Sequence, residues 1–271
     1  MRTPALALIL MGLAMADVWA DPPALVLLQS PRYEGLALRL IDSPTYRVEL
    51  QRDGWMQMYN PDQMPSGTKS RRIDPRSPVS FSPLAVADLR QELQNEFGRD
   101  YEIRTTKNFV VVQPAGRGEQ WPRTMERLHA DFMRYMNLRR VQTRQGSFPM
   151  VAVVTADRPA MYAELKKCGV SAKRVAGVYD PLSNRMIMHD DGRADQIAAT
   201  VRHEAAHQSA FNSNVHSRIA DTPRYISEGL AQLFETPALV GSQPGVGRRQ
   251  RIKPNALRSL RASLQTRGRF D

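Results

Sequence analysis

Residues 203–235 read HEAAHQSAFNSNVHSRIADTPRYISEGLAQLFE and contain two apolar-patterned segments joined by a short polar stretch. In the first segment His203 and His207 lie four residues apart, and Glu204 directly follows the first histidine. Side chains at this spacing lie one turn apart on the same face of a helix. Two imidazoles in that position can bind one metal ion, with the glutamate directed toward its open position. The stretch therefore predicts a helix that carries a metal site.

The same helix, predicted over residues 194–211, must also pack against a core. Ile197, Val201 and Ala205 form an apolar stripe at helical spacing, and the histidine pair lies on the other side of the helix. We therefore expect the stripe to face the core and the imidazoles to face away from it.

The third ligand is predicted in the second segment. Glu228 lies twenty residues beyond the histidine motif, on a helix expected to begin with Asp221 or Thr222 as its cap and Pro223 in its first turn. A turn between the two helices can bring this carboxylate back over the histidines. Two histidines and one glutamate leave tetrahedral Zn²⁺ a fourth position for water, which is the arrangement of catalytic sites.

HEAAHQ followed by SEGLAQLFE resembles the gluzincin division of zinc metallopeptidases, in which the glutamate of a second helix is the third ligand. With EFGRDYEIRTTKNFVVVQPAG and GVYDPLSNRMIMHDD included, the chain is more closely similar to a bacterial family of predicted peptidases known only as a domain of unknown function. The resemblance covers about residues 80 to 240. It implies a zincin-like fold and peptide-bond hydrolysis by zinc-activated water, with Glu204 as the general base.

The resemblance also directs attention to residues around the ligands. Glu235 lies on the same helix face as Glu228 and either orients a histidine through its second ring nitrogen or is an exposed charge near a helix end. GVYDPLSNRMIMHD precedes the metal helix where gluzincins carry the edge strand that receives substrate, although a structural hairpin would account for the same residues.

A donor for the developing oxyanion is also expected, usually a tyrosine or histidine. His216 and Tyr225 are the local candidates, and each also fits a structural role. In related gluzincins the donor comes from a helical region after the glutamate helix, but only about forty residues follow Glu228 here. Either the catalytic domain is truncated relative to its relatives or the donor is local.

The rest of the chain predicts an α+β protein. Alternating residues between 24 and 60 indicate a meander of strands with a hairpin turn at Asp53-Gly54, and residues 61–83 indicate a surface connection. A helix capped by Ser82 and ended by Gly98 follows, then strands alternate with helices. We expect a β-rich N-terminal module over 21–80 and a zincin-like catalytic domain over 81–271, with a small mixed sheet and an edge substrate strand.

The first twenty residues predict export. Arg2 precedes an apolar run, and Val18 and Ala20 occupy the small-residue positions of a cleavage site between Ala20 and Asp21. An uncleaved anchor is the alternative reading. We expect a periplasmic or extracellular protein.

Its single cysteine, Cys168, excludes an internal disulfide and is predicted to be a packing residue, whereas His129 and His189 are assigned no role.

The formal charge of +11 favours anionic surfaces. Residues 248–269 contain eight basic residues and no acidic one, with a leucine stripe that either docks on the catalytic domain or contacts an anionic membrane or cell wall. No nucleic-acid partner is expected, because the aromatics are not interleaved with the basic residues.

The expected partner is a peptide or protein substrate. The alternatives to a peptidase are a catalytically weak or inactive cell-envelope binding protein on a peptidase scaffold, and an enzyme that hydrolyses a non-peptide amide.

Overall fold

The computed structural model describes residues 25–29, 37–42, 47–59, 69–73, 82–190, 194–218, 222–237, 257–258 and 261–262. Within these ranges the chain forms two five-stranded sheets and five helices. The first sheet contains β1 (Leu25–Gln29), β2 (Ala37–Asp42), β3 (Arg47–Leu50), β4 (Met56–Tyr59) and β5 (Lys69–Ile73). Its strands are antiparallel in the order β4-β3-β2-β1-β5.

The first sheet confirms the predicted meander and corrects the segment after it. Gly54 lies in the turn between β3 and β4 with a φ of +92°, a conformation that favours glycine. Residues 61–83, predicted as a surface connection, contain β5. Four of its five residues, KSRR, are polar, so β5 is defined by its pairing along the whole of β1 rather than by an apolar pattern.

The second sheet contains β6 (Tyr101–Thr105), β7 (Phe109–Pro114), β8 (Met150–Thr155), β9 (Gly177–Asp180) and β10 (Arg185–His189). Its order is β6-β7-β8-β10-β9, with β7, β8 and β10 parallel and the two edge strands antiparallel to their neighbours. Every residue of β8 and β10 is buried, because helices cover both faces of the sheet. β9, from the segment predicted to receive substrate, is an edge strand.

The helices are α1 (Val86–Phe97), α2 (Gln120–Leu138), α3 (Arg158–Lys167), α4 (Ala194–Asn212) and α5 (Arg224–Phe234). The α1 and α3 helices pack on one face of the second sheet, and α2 and α4 on the other. Successive strand residues point to opposite faces, so Val110 contacts the first pair of helices and Val111 the second. The mixture of helices and a mixed sheet confirms the α+β class.

Two predicted helix starts are wrong. Ser82 is not the cap of α1, which begins at Val86 after an extended Ala85. The Leu84 N–H donates to the Arg52 carbonyl at 2.8 Å, which ties this segment to the first sheet and delays the helix. The α5 helix begins at Arg224 with Pro223 at its N-cap, so Thr222 is not the cap and Pro223 is not in the first turn. The alternative cap, Asp221, lies outside the described residues.

A third apolar cluster joins α2, α4 and α5. Phe132 and Phe234 pack with ring centroids 5.1 Å apart, beside the small residues Ala206, Ala210 and Ala231. Small side chains let the helix axes approach, so α5 lies directly against α4. Among the described residues no helix has the length and apolarity needed to cross a membrane. The predicted signal peptide and most of residues 248–271 lie outside the described ranges.

Candidate metal site

The three predicted ligands converge between α4 and α5. His203 and His207 place their Nε2 atoms 3.1 Å apart. The Oε2 atom of Glu228 lies 3.3 Å from the first of these nitrogens and 3.8 Å from the second. Among the described residues this is the group of three histidine or acidic side chains arranged so that they could hold a metal ion.

These separations fit a single small divalent cation. Three atoms with these spacings lie on a circle of about 2 Å radius, which is the bond length of zinc to histidine nitrogen and carboxylate oxygen. An ion near the centre of the circle would reach all three atoms. The donor set of two imidazoles and one carboxylate also suits Zn²⁺ better than the oxygen-preferring cations Ca²⁺ and Mg²⁺.

Helix packing explains how the ligands reach each other. Ile197, Val201 and Ala205 are buried against the second sheet, as their spacing predicted, which leaves the histidine face of α4 directed toward α5. On α5 the buried residues are Ser227, Ala231 and Phe234. Glu228 adjoins this buried face, so its side chain extends from the edge of the α4–α5 contact toward the imidazoles.

His207 is neutral at ordinary pH. Burial, together with the neighbouring His203, lowers its pKa to about 4, while Glu228 opposes the shift. A neutral imidazole presents a lone pair, which is the form that binds metal ions. The Glu228 side chain is 39% exposed, so the group opens to solvent on the α5 side.

Glu235 contacts the other ring nitrogen of His203. Its Oε1 atom lies 3.0 Å from Nδ1, which fixes the orientation of the ring and directs Nε2 to the site. Arg202 donates two hydrogen bonds, of 3.0 and 2.6 Å, to the Glu235 carbonyl and holds the end of α5 in place. This is the arrangement in which a carboxylate outside the ligand set tunes a metal-bound histidine.

We expect substitution of Glu235 to weaken metal binding without abolishing it. Glu235→Ala should raise the zinc dissociation constant by about 10- to 100-fold, because His203 loses the partner that orients it. Glu235→Gln keeps an acceptor for Nδ1–H and should lie between the two. Competition with a chromophoric chelator measures the constants, and Glu119→Gln, a half-exposed carboxylate on another helix end, is the control. An unchanged constant in the alanine variant would contradict the role.

Glu204 is held by the edge strand. Its Oε2 atom accepts a hydrogen bond of 2.8 Å from the Tyr179 backbone N–H in β9. Burial raises the pKa of Glu204 to about 7, against the lowering effects of this N–H and of His203. A carboxyl group with a pKa near neutrality can both accept and donate a proton, which a general base in hydrolysis must do.

The outer side of the edge strand faces Glu204. Tyr179 is paired with Met186 of β10, yet its N–H is directed outward to Glu204. Main-chain groups alternate along an antiparallel strand, so those of Gly177 point outward as well. A Cβ on Gly177 would lie 3.1 Å from the Met188 Cβ, so a side chain here would crowd the strand.

The two candidate oxyanion donors are placed differently. His216 is 6% exposed, and its buried Nε2 atom has no hydrogen-bond partner among the residues that the structure describes. Tyr225 is 77% exposed on the first turn of α5. Neither belongs to the group of three ligands, and the oxyanion role of each stays a prediction. The two histidines without an assigned role are separate: His129 contacts Ser209 at 3.0 Å, and His189 is buried at the end of β10.

Asn184 links β9 and the β9–β10 turn to α4, a connection that sequence reasoning missed. It adopts a left-handed conformation, with a φ of 59°, in the turn before β10. Its Oδ1 atom accepts from the Tyr179 hydroxyl at 2.9 Å and from Asn212 Nδ2 at 2.7 Å. Its carbonyl accepts from Gln208 at 3.1 Å. The polar turn composition marked a turn here, but nothing in the sequence marked its bonds to the metal helix.

A family model matches the C-terminal part of the chain. Residues 197–270 match a family described as a protein of unknown function, DUF1570. The matched stretch includes nearly all of α4, all of α5 and the basic C-terminal segment. This fits the predicted similarity to a domain of unknown function. No curated protein and no solved structure matches the chain.

Proposed function

We propose that the protein is an exported zinc metallopeptidase of gluzincin type that hydrolyses peptide bonds. The observation that carries the proposal is the convergence of His203, His207 and Glu228. The Glu204 carboxyl group lies next to them, one residue after His203 on α4. Three protein ligands, rather than four, are typical of catalytic zinc sites, whereas structural sites are usually closed by four. The matched family description names no activity and neither supports nor opposes this.

The chain's own residues would perform the proton transfers. A bound zinc ion would supply a Lewis acid that lowers the pKa of water and polarises a carbonyl group. Glu204 would take the proton of the attacking water and pass it to the leaving amine. The Tyr179 N–H holds one oxygen of that carboxyl group and fixes its position.

The edge position of strand β9 favours a peptide as the substrate. It is an edge strand whose outward N–H and C=O groups lie next to Glu204. Glu204 accepts the Tyr179 N–H, so an extended peptide would pair with the other outward groups, those of Gly177 and the Tyr179 carbonyl. Such pairing would add a strand to the sheet and place a scissile carbonyl beside the site. Binding of this kind depends on hydrogen bonds to the main chain of the substrate, and so it suits peptides better than other amides.

Metal analysis followed by a peptide-library digest tests the proposal. The chain without its predicted signal peptide should bind one zinc ion and cleave peptides, with new termini identified by mass spectrometry. A chelator should stop cleavage, and added zinc should restore it. Zinc bound at full stoichiometry with no cleavage of any library member would contradict the peptidase function.

That contradictory outcome would favour a second function, a cell-envelope binding protein on a peptidase scaffold. The observation behind it is the basic segment 248–269, which carries eight of the chain's 38 lysine and arginine residues. Such a segment would bind anionic lipid or cell-wall polymer.

A further inference from the structure

Arg218 connects the loop after α4 to the turn between β9 and β10. Its guanidinium donates hydrogen bonds to the carbonyls of Pro181 at 2.7 Å and Leu182 at 3.0 Å. A third bond, of 2.7 Å, goes to the Gly54 carbonyl in the β3–β4 turn of the first sheet. Arginine suits this position because its planar guanidinium carries five donors in a fixed geometry.

The first sheet also contacts the same turn directly. The Met56 N–H donates to the Leu182 carbonyl at 2.7 Å. The Trp55 ring lies 5.1 Å from the Arg185 guanidinium, at the start of β10. On the opposite side the turn is bonded to α4 through Asn184. The β9–β10 turn is therefore held between the metal helix and the first sheet.

The position of this turn determines the position of β9. An edge strand pairs with a neighbour on one side alone, so its free side is less constrained than a central strand. β9 is four residues long and leads directly into the turn. The Tyr179 N–H that reaches Glu204 lies two residues before Pro181. Displacement of the turn would thus move the strand relative to the carboxyl group.

We propose that Arg218, together with the β3–β4 turn of the first sheet, positions edge strand β9 beside the metal site so that the strand can pair with an extended peptide. The first sheet is then part of the peptide-binding structure and not an independent module. The peptide-binding part of this inference rests on the proposed peptidase function. The positioning part concerns contacts that exist with or without a substrate.

Hydrogen exchange in the full mature chain tests the positioning part. In Arg218→Met, amide exchange at residues 177–180 should be about tenfold faster, in both the metal-free and the zinc-loaded protein, because the strand opens locally. Exchange in β7 and β8 should stay unchanged. Arg139→Met is the matched control, since Arg139 also donates to a main-chain carbonyl, that of Tyr135 at 3.1 Å, but lies at the end of α2.

The same variant separates positioning from loss of the site. Its zinc affinity should stay within about twofold of the original, while KM for a cleaved library peptide should rise about tenfold with a smaller change in kcat. Arg218→Lys keeps the charge but not the planar set of donors, and should give intermediate exchange and KM. If the methionine variant does not fold, the lysine variant supplies the comparison.

Unchanged exchange at residues 177–180 would overturn the inference even if peptides are cleaved. Equally faster exchange throughout the second sheet would also overturn it, because Arg218 would then be a general stabilising residue. If the original chain cleaves no peptide but β9 loosens as expected, positioning by Arg218 stands and the proposed peptidase function fails.

Discussion

Glu204→Gln should abolish peptide hydrolysis while leaving the metal bound. Glutamine keeps the size of the side chain and can still accept the Tyr179 N–H, but it cannot take a proton. General-base catalysis contributes about 10² to 10⁴ in rate, so we expect a loss of that size in kcat. Metal content is measured on the same sample, and a kcat within about tenfold of the original in the zinc-loaded variant would contradict the assigned role.

The same substitution should stabilise the metal-free chain at alkaline pH. The folded pKa of Glu204, about 7, lies above the ordinary value of 4.5 because the carboxyl group is buried. Between these two pH values the folded chain binds a proton that the unfolded chain has released. The free energy of unfolding therefore falls as pH rises through this window.

Glutamine removes this loss of stability, because its side chain stays uncharged as the pH rises. Above pH 7 the metal-free Glu204→Gln chain should be more stable than the original by on the order of 1 to 3 kcal/mol. Below pH 4.5 the two should be equal, since both side chains are then uncharged. Denaturant unfolding in chelator at the two pH values measures the difference. Equal stability at both would show that Glu204 is not desolvated as the fold indicates.

Helix α4 and the direction of its histidines were predictable because residues close together in the sequence determine both. The spacing of Ile197, Val201 and Ala205 determines which face of α4 is buried, and this in turn determines where the two histidines point. The third ligand required only that the α4–α5 connection be short. The convergence of the three ligand side chains follows from helix periodicity and a turn, both of which the sequence displays.

Features that depend on pairing between distant segments were not predictable. The residues of β5 are mostly polar, so its place beside β1 comes from main-chain hydrogen bonds. The start of α1 is delayed by the bond from Leu84 to Arg52, which lie 32 residues apart in the chain. Arg218 and Asn184 act through main-chain carbonyls and a left-handed turn, and neither leaves a periodic pattern that reveals its partners.

The same contrast applies to the candidate oxyanion donors. His216 and Tyr225 were chosen because they lie between the ligands in sequence, which says little about where side chains point. In the fold one is buried beside the Phe211 ring, at 5.4 Å between centroids, and the other is exposed to solvent. Packing of the loop after α4 buries His216, whereas Tyr225 lies on the solvent-exposed side of the first turn of α5.

His203→Ala should remove the metal and with it all hydrolysis. The alanine deletes one of three ligands and leaves Glu235 without the imidazole it orients, so both the bond and its support are lost. We expect the zinc dissociation constant to rise by about 10³-fold or more. Dialysed protein analysed for bound metal should contain about one zinc in the original chain and none in the variant.

Thermal unfolding gives an independent measure of the same loss. A ligand that binds only the folded chain raises its stability by mass action, so a chelator should lower the Tm of the original protein and leave that of His203→Ala unchanged. His129→Ala is the matched control, because His129 contacts the same helix through Ser209 and lies outside the ligand group. That variant should keep its zinc. Stoichiometric zinc in His203→Ala would show that the ion is held elsewhere, and would remove the basis for the catalytic site.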